Sequence, residues 1–193
     1  MQEILVQQVK DHIQLSSEEE EFFLSLFTKK KIKRKHILVH EGEVNKYSSF
    51  VIGGILRLYS IDKNGFEHII QFAPAGWWIG DITSLLSQKP GNLYIDAIED
   101  SEILQILKPD IDLLYTKYPK FERYFRILAE NALAAYQQRA ISNLSQPAKE
   151  RYLNFCRLYP SLVQHLPQKY VAAYIGVTPE FLSKMLSQPV SSK

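Results

Sequence analysis

The residues best suited to a binding function lie near the end of the chain, between positions 168 and 186. Ala172 and, four residues later, Gly176 suit two closely crossing helices joined by a tight turn. Thr178 is a good N-cap and Pro179 a good first helical residue, so a second helix is predicted to begin there. Its outer face would carry polar side chains able to bond base edges in the major groove of DNA.

The candidate DNA-contacting side chains are divided between these two predicted helices. Glu180 could accept a hydrogen bond from a cytosine amino group, and Lys184 could bond guanine or a phosphate. Groups at helix N-termini often contact phosphates. The full candidate set is Gln168, Lys169, Tyr170, Thr178, Pro179, Glu180, Ser183 and Lys184. An ordinary two-helix corner with no DNA function also uses small residues and glycine, and it is the alternative interpretation.

Charge and composition narrow the class of protein. Residues 145–193 contain six Lys or Arg residues against two Asp or Glu, although the whole chain carries only +2. This basic segment favours a polyanionic partner. The single cysteine, Cys156, excludes an internal disulfide and a four-cysteine iron–sulfur cluster. No apolar run is long enough to cross a membrane, so we expect a cytoplasmic protein with no membrane partner.

The chain before this segment is predicted to contain an early helix followed by a β-rich region. Ser17 and Glu20 fit a capping box at the start of an early helix. From about residue 30 to 108, short β-rich runs are separated by turn signals, the strongest being the hairpin signal Asn64-Gly65. The lysine-rich run at 29–35 alternates with apolar residues, which predicts a strand with one solvated face. Many short strands at this spacing predict a roll, sandwich or barrel.

A long helix is predicted after the β-rich region, because residues 120–144 contain neither Gly nor Pro. An apolar stripe in alternating steps of four and three is typical of a helix packing on another helix. The stripe consists of Phe121, Phe125, Leu128, Ala132 and Ala135. Tyr124, Ile127 and Leu133 form a second apolar face, so the helix could pack on its own β-domain, on a second protomer, or on both.

Five stretches of the sequence resemble the Crp/Fnr superfamily, particularly its compact members from Bacteroidetes. They are HisIleLeuValHisGluGlyGluVal (36–44), PheValIleGlyGlyIleLeuArgLeuTyr (50–59), GlyTrpTrpIleGlyAsp (76–81), TyrIleAspAlaIleGluAspSer (94–101), and residues 167–184. The resemblance implies an α+β chain in three parts: a cyclic-nucleotide-binding-like antiparallel β-roll (1–118), a dimerisation helix (119–144) and a helix-turn-helix domain (145–193). It implies a homodimeric transcription regulator on double-stranded DNA, with RNA polymerase as a further candidate partner.

Two departures from the family pattern bear on ligand and DNA. Nucleotide-binding relatives use a Gly-Glu pair at the ribose and an Arg at the cyclic phosphate, whereas this chain has Gly80-Asp81 and no cation after Lys89 in the loop 90–96. An unpaired buried phosphate is costly, so we expect an effector other than cyclic AMP. The candidate effector pocket is Trp77, Trp78, Gly80, Asp81, Asn92 and Tyr94. Only seven residues follow Leu186, so we expect no full wing after the helix-turn-helix.

Two other classes of function compete with this interpretation. A cupin-like metal enzyme could use His36, His40, Glu41 and His68, although their spacing does not fit the usual His-X-His pair. A sensing and dimerising module with a degenerate DNA-binding end is the second alternative. No nucleophile elbow or Gly-rich phosphate loop is present. We therefore expect no catalytic residues, no metal site and no cofactor.

Overall fold

The computed structural model describes residues 2–164 and 166–187. The helices within this part are α1 Glu3–Lys10, α2 Ser17–Ser25, α3 Ile82–Ser87, α4 Lys108–Lys117, α5 Lys120–Ser145, α6 Ala148–Leu158, α7 Gln168–Ile175 and α8 Pro179–Ser187. The strands are β1 Phe27–Ile32, β2 Ile37–Val39, β3 Tyr47–Gly53, β4 Ile55–Ile61, β5 Glu67–Pro74, β6 Trp78–Ile79, β7 Tyr94–Ala97 and β8 Ser101–Leu107. The α+β class predicted from the sequence is confirmed.

Two four-stranded sheets form the β-region, in the orders β1-β8-β3-β6 and β2-β7-β4-β5. Alternate residues of both sheets face one shared apolar cluster, to which Val51 and Ile103 contribute from the first sheet and Leu56, Leu58 and Ile95 from the second. Strands with this period of two bury one face and leave the other for different contacts. The predicted antiparallel roll is therefore present.

A second apolar cluster covers the outer face of the first sheet. Phe50 and Leu104 from the strands pack with Leu5 of α1, Phe23 of α2 and Phe121 of α5. The start of α2 differs from the prediction by one residue. Ser16, not Ser17, is the N-cap, and its Oγ accepts from the Glu19 backbone N–H while Glu19 accepts from the Ser16 N–H.

The lysine-rich run and the Asn64-Gly65 signal lie where the sequence predicts a strand and a hairpin. Lys29 and Lys31 on β1 pair with Glu102 of β8 on the solvated face. The hairpin joins β4 to β5, and Gly65 has a positive φ of 82°. Asn64 does not, because Asp62 stabilises a longer turn by accepting hydrogen bonds from the Asn64 and Phe66 backbone N–H groups.

The described residues fall into two compact units. One comprises residues 2–60 and 70–130, and the other comprises 61–69 with the described residues from 131 onward. The core of the second unit contains the aromatic residues Phe155, Tyr159 and Tyr174, whose ring centroids lie 5.3 to 5.6 Å apart. The sequence-based boundaries at 118/119 and 144/145 remain predictions.

Candidate functional site

The α7–α8 corner has the backbone geometry that the sequence predicts. Gly176 ends α7 in the left-handed region at φ 72°, and the Val177 N–H bonds the Ala172 carbonyl at 3.0 Å. Thr178 caps α8, because its Oγ1 accepts a hydrogen bond from the Phe181 N–H at 3.2 Å. The small Ala172 of α7 and Leu182 of α8 are both buried within the corner.

The polar side chains of the corner point away from this core. Among the predicted contact residues, Gln168, Lys169, Thr178, Pro179, Glu180, Ser183 and Lys184 are exposed, and Tyr170 is half-buried. The Lys169 ammonium lies 4.9 Å from the Tyr170 ring centroid. Neither Glu180 nor Lys184 has an ion-pair partner within residues 2–164 and 166–187. The corner therefore presents exposed polar side chains at the start of α8.

Phe181 is a candidate contact residue that the sequence-based set omits. Its side chain is 52% exposed in the first turn of α8, beside the polar residues Glu180 and Lys184. Apolar side chains in this position can contact the methyl group of thymine. The signal was available in the sequence, because Leu182 and Met185 define the inner face and place Phe181 outside it.

Two arginines, Arg139 of α5 and Arg151 of α6, support the corner from within its own unit. Arg151 donates from Nε to the Ile175 carbonyl at 2.8 Å, and Arg139 donates from Nη2 to the Tyr174 carbonyl at 2.8 Å and the Ile69 carbonyl at 2.5 Å. The last carbonyls of a helix lack intrahelical partners, so the bonds to the Tyr174 and Ile175 carbonyls satisfy the end of α7. Arg151 of the basic C-terminal segment therefore has a structural role.

The residues predicted to line the effector pocket fall into two groups. The two tryptophans pack against apolar clusters, whereas Asp81 lies in a polar turn. Trp78 donates from Nε1 to the Tyr124 hydroxyl at 3.0 Å and packs on Phe50 and Phe125 in the helix-facing cluster. Burial raises the pKa of Tyr124, so its hydroxyl stays protonated and donates to Gln8 at 2.8 Å. Trp77 packs against the cluster between the two sheets. Both indoles are partly buried against these apolar clusters.

The polar turn joins β6 to α3 and lies against the loop before β7. Asp81 is 2% exposed, and its Oδ1 caps α3 by accepting from the Ser84 N–H at 3.1 Å. Its Oδ2 has no hydrogen-bond partner. Gly91 lies directly on this oxygen, since a Cβ at position 91 would be 2.1 Å from Oδ2. The exposed Asn92 follows, and Gly80 lies beside the Asn45 side chain.

A buried ion pair in the second sheet was missed by the sequence reasoning. Arg57 on β4 lies directly opposite Asp96 on β7, with Nε–Oδ1 at 2.7 Å and Nη2–Oδ2 at 2.8 Å. The Arg57 side chain is 4% exposed, and its guanidinium lies 4.0 Å from the Tyr59 ring centroid. Tyr94 stacks on Tyr59 and donates its hydroxyl to Glu41. This hydrogen bond, the largest influence, raises the pKa of Tyr94.

The residues of the metal-enzyme alternative bind other partners. The His40 backbone N–H bonds the Glu43 carboxylate, Glu41 accepts from Tyr94, and His68 lies 3.0 Å from Asp62. The described part of the chain contains no group of three or more His, Cys, Asp or Glu side chains that could hold a metal ion. None of its helices combines the length and apolar character needed to span a bilayer.

Helix α5 divides the predicted dimer stripe into two parts. Phe121 is fully buried in the core of its own unit, and Phe125 and Leu128 pack against the same cluster. Ala132 and Ala135 lie in a stretch, 129–138, where every residue is exposed. The first three residues of the stripe therefore bury their side chains within one chain, and surface available to a second chain begins further along the helix.

The comparisons with known proteins agree with this architecture. The cyclic nucleotide-binding domain family matches residues 29–118. The regulatory protein HlyX of Actinobacillus pleuropneumoniae is 22% identical over 178 residues, covering 83% of this chain and 70% of HlyX. FixK2 from Bradyrhizobium japonicum has a similar structure, with a TM-score of 0.73 and 19% identity over 86% of this chain and 89% of FixK2. The catabolite activator protein of Thermus thermophilus gives a TM-score of 0.57 and 23% identity over 89% and 82% of the two chains.

These matches support a transcription regulator of the Crp/Fnr type, with a cyclic nucleotide-binding domain over residues 29–118. In the loop 90–96, where the sequence has no Arg or Lys, Gly91 lies against the Asp81 carboxylate. The predicted absence of a full wing concerns residues 188–193, which lie outside the described residues.

Proposed function

We propose that this Crp/Fnr member acts as a homodimer that binds double-stranded DNA through the α7–α8 corner. The observation that carries the proposal is the exposed polar surface at the start of α8, supported from below by a tightly packed corner. In a helix-turn-helix, residues at the start of the second helix reach base edges. Glu180, Phe181, Ser183 and Lys184 are assigned to base edges, and the remaining predicted contacts to phosphates.

Selection of duplexes from a random library at low salt tests this function. A dimer with two recognition helices should enrich a two-fold symmetric site whose half-sites lie about one helical turn apart. Recovery of an asymmetric single half-site would contradict the dimeric arrangement. Recovery of no enriched sequence would contradict base reading and favour a sensing module with a degenerate DNA-binding end.

The dimer surface is assigned to the exposed part of α5 rather than to its first turns. Leu133, Gln137, Ala140 and Leu144 recur in steps of four, three and four, which places them on one face. Leu133 is 68% exposed and Leu144 is 89% exposed. Apolar side chains this exposed on one helical face are suited to an identical helix from a second copy.

Sedimentation analysis of charged variants tests this surface. Leu133→Glu and Leu144→Glu should shift the protein toward monomer, because two copies of each carboxylate would be brought together across the symmetry axis. Asn131→Glu is the matched control, since Asn131 is exposed on a different face of the same helix. An unchanged dimer in both leucine variants would contradict the assignment.

The sensor roll is assigned to a small effector that is not a cyclic nucleotide. An anionic phosphate at the β6–α3 turn would face the Asp81 carboxylate, which is buried and has one unbonded oxygen. Like charges in a weakly screened site repel each other, and no cation can be placed at Gly91 without displacing that carboxylate. The effector would act by favouring one arrangement of the paired DNA-binding domains over another.

Thermal unfolding with added cyclic AMP or cyclic GMP tests this assignment. Neither nucleotide at millimolar concentration should raise the midpoint, because a ligand stabilises only the state that it binds. A concentration-dependent rise in the unfolding midpoint with either compound would contradict the assignment. It would indicate that the sensor roll binds a cyclic nucleotide.

A further inference from the structure

A groove of about 440 Å³ opens at the edge of the roll, next to the β6–α3 turn, to which its lining residue Asn45 is hydrogen-bonded. It lies between the first sheet and the short strand β2, and its volume falls within the range of about 300–1,000 Å³ usual for small-molecule sites. Leu38, Val39 and Val44 form an apolar side, while Lys30, Lys46 and Gln105 contribute polar groups. One groove thus combines an apolar side with two cationic side chains.

Lys30 differs from its neighbours on β1. Lys29 and Lys31 face the solvated side of the sheet, where both pair with Glu102. Lys30 lies opposite Ile103, which is fully buried between the sheets, so strand alternation directs Lys30 to the inward-facing side. It has no ion-pair partner among the residues that the structure describes.

The polar end of the groove contains a buried hydrogen bond between two strands of the first sheet. Gln105 and Ser49 are both buried and lie directly opposite each other on β8 and β3. Gln105 donates from Nε2 to the Ser49 Oγ at 3.1 Å. Lys46 also has no ion pair within the described residues, whereas the one carboxylate lining the groove, Glu43, accepts from the His40 backbone N–H. The lining therefore carries two ammonium groups against one carboxylate, a net charge of +1.

The apolar side continues into the interior of the roll. Leu38 and Val39 are only half-buried, although they pack against the cluster between the two sheets. Their strand lies at the edge of its sheet and has one neighbour, β7. An alkyl chain laid over these two residues would cover apolar surface that is now partly open to water.

We propose that this groove binds a small amphiphilic carboxylate, with its carboxylate between Lys30 and Lys46 and its alkyl chain over Leu38, Val39 and Val44. Charge complementarity selects an anion, and the apolar side selects one with a hydrocarbon tail. The residues that would hold the ligand are distinct from Asp81 and Gly91 of the neighbouring β6–α3 turn, and their occupancy does not depend on DNA binding. A failure here would leave the proposed regulatory function standing.

Titration of the full chain with octanoate, without DNA, tests the site. Octanoate should bind saturably, and the neutral octanamide should bind about tenfold more weakly because it loses the charge-assisted bonds. Across hexanoate, octanoate and decanoate, affinity should rise about two- to fourfold per methylene group as apolar surface is covered. Equal affinities for octanoate and octanamide, or no saturable binding, would overturn the proposal.

Single substitutions locate the binding. Lys30→Gln and Lys46→Gln should each reduce octanoate affinity toward that of octanamide, while Lys31→Gln should leave it unchanged because Lys31 faces the opposite side of β1. Both groove lysines are exposed, so these variants should keep the unfolding midpoint of the parent. Octanoate binding that survives both substitutions would place the ligand elsewhere and overturn the proposal.

Discussion

The side-chain caps at the starts of α3 and α8 lie in opposite surroundings. Asp81 caps α3, is almost fully buried, and lies against Gly91 with no room for a further atom. Thr178 caps α8 and is surrounded by exposed side chains, including Glu180 and Lys184. A helix N-terminus can bind anions only where ligand can approach its N–H groups. We therefore regard the first cap as closed structure and the second as an open binding surface.

The buried pair Arg57–Asp96 should give the largest effect of any single change near the closed region. Asp96→Ala would leave the Arg57 charge buried without its bidentate partner, at a cost of about 3–5 kcal/mol in the free energy of unfolding. Urea unfolding measures this loss. The double variant Arg57→Leu with Asp96→Leu should recover most of the stability, and a loss below about 1 kcal/mol in Asp96→Ala would show that water reaches the pair.

A methyl group at Gly91 should also destabilise the closed turn. Gly91→Ala places a Cβ against Asp81 Oδ2 and should cost about 1–3 kcal/mol through overpacking. The same urea measurement applies. In the background of Asp81→Gly the Gly91→Ala cost should largely disappear, because the clashing carboxylate is absent. An equal cost in both backgrounds would mean that the Ser84 Cβ, 3.1 Å from the added methyl group, and not Asp81, disfavours the alanine.

A substitution on the exposed surface of the α7–α8 corner should weaken DNA binding without changing the free energy of unfolding. Lys184→Ala should weaken binding to a selected duplex by about tenfold, which corresponds to about 1.4 kcal/mol, with no change in urea unfolding. Fluorescence anisotropy with labelled duplex measures the affinity. Lys89→Ala, at an exposed position beside the closed turn, is the matched control and should bind like the parent. Equal losses in the two variants would indicate a general charge effect.

A third cap, at the start of α2, should show the smallest effect. Hydrogen bonding to Lys120, the largest influence, and to the Ser16 N–H lowers the pKa of Glu19 below 4.5. Its stabilising contribution is therefore complete above that value and is lost as pH falls through the lowered pKa. The difference in unfolding free energy between the parent and Glu19→Gln should shrink from about pH 6 to about pH 3. Glu21→Gln, exposed in the same helix, should show no such trend.

The parts that could be predicted from the sequence are those fixed by neighbouring residues. Gly176 provides the positive φ that ends α7, and Thr178 provides the cap that begins α8. The α7–α8 corner could therefore be predicted from these neighbouring residues. The opposition of Arg57 and Asp96 depends on strand register, and the contact of Asp81 with Gly91 depends on how a loop folds back. Neither is encoded in a periodic pattern, so both were missed.

The sequence pattern also could not show which surface each apolar face of a helix contacts. The stripe from Phe121 has the spacing expected at a helix–helix seam, yet spacing does not say which surface it contacts. Phe121 and Tyr124 are buried by α2 and the first sheet of their own unit. The two tryptophans of the predicted pocket likewise fill cores. Aromatic side chains bury large areas, and their packing partners come from distant parts of the chain.

The salt dependence of DNA affinity tests the open-surface account most directly. Phosphate contacts release counterions, so the logarithm of the association constant should fall steeply and linearly with the logarithm of salt concentration. In a dimer, Lys169→Ala removes two of the cations assigned to phosphates and should reduce that slope by about two. We expect a steep slope for the parent and this smaller slope for the variant. A parent slope near zero would contradict this expectation, because the α7–α8 corner would then make no phosphate contacts.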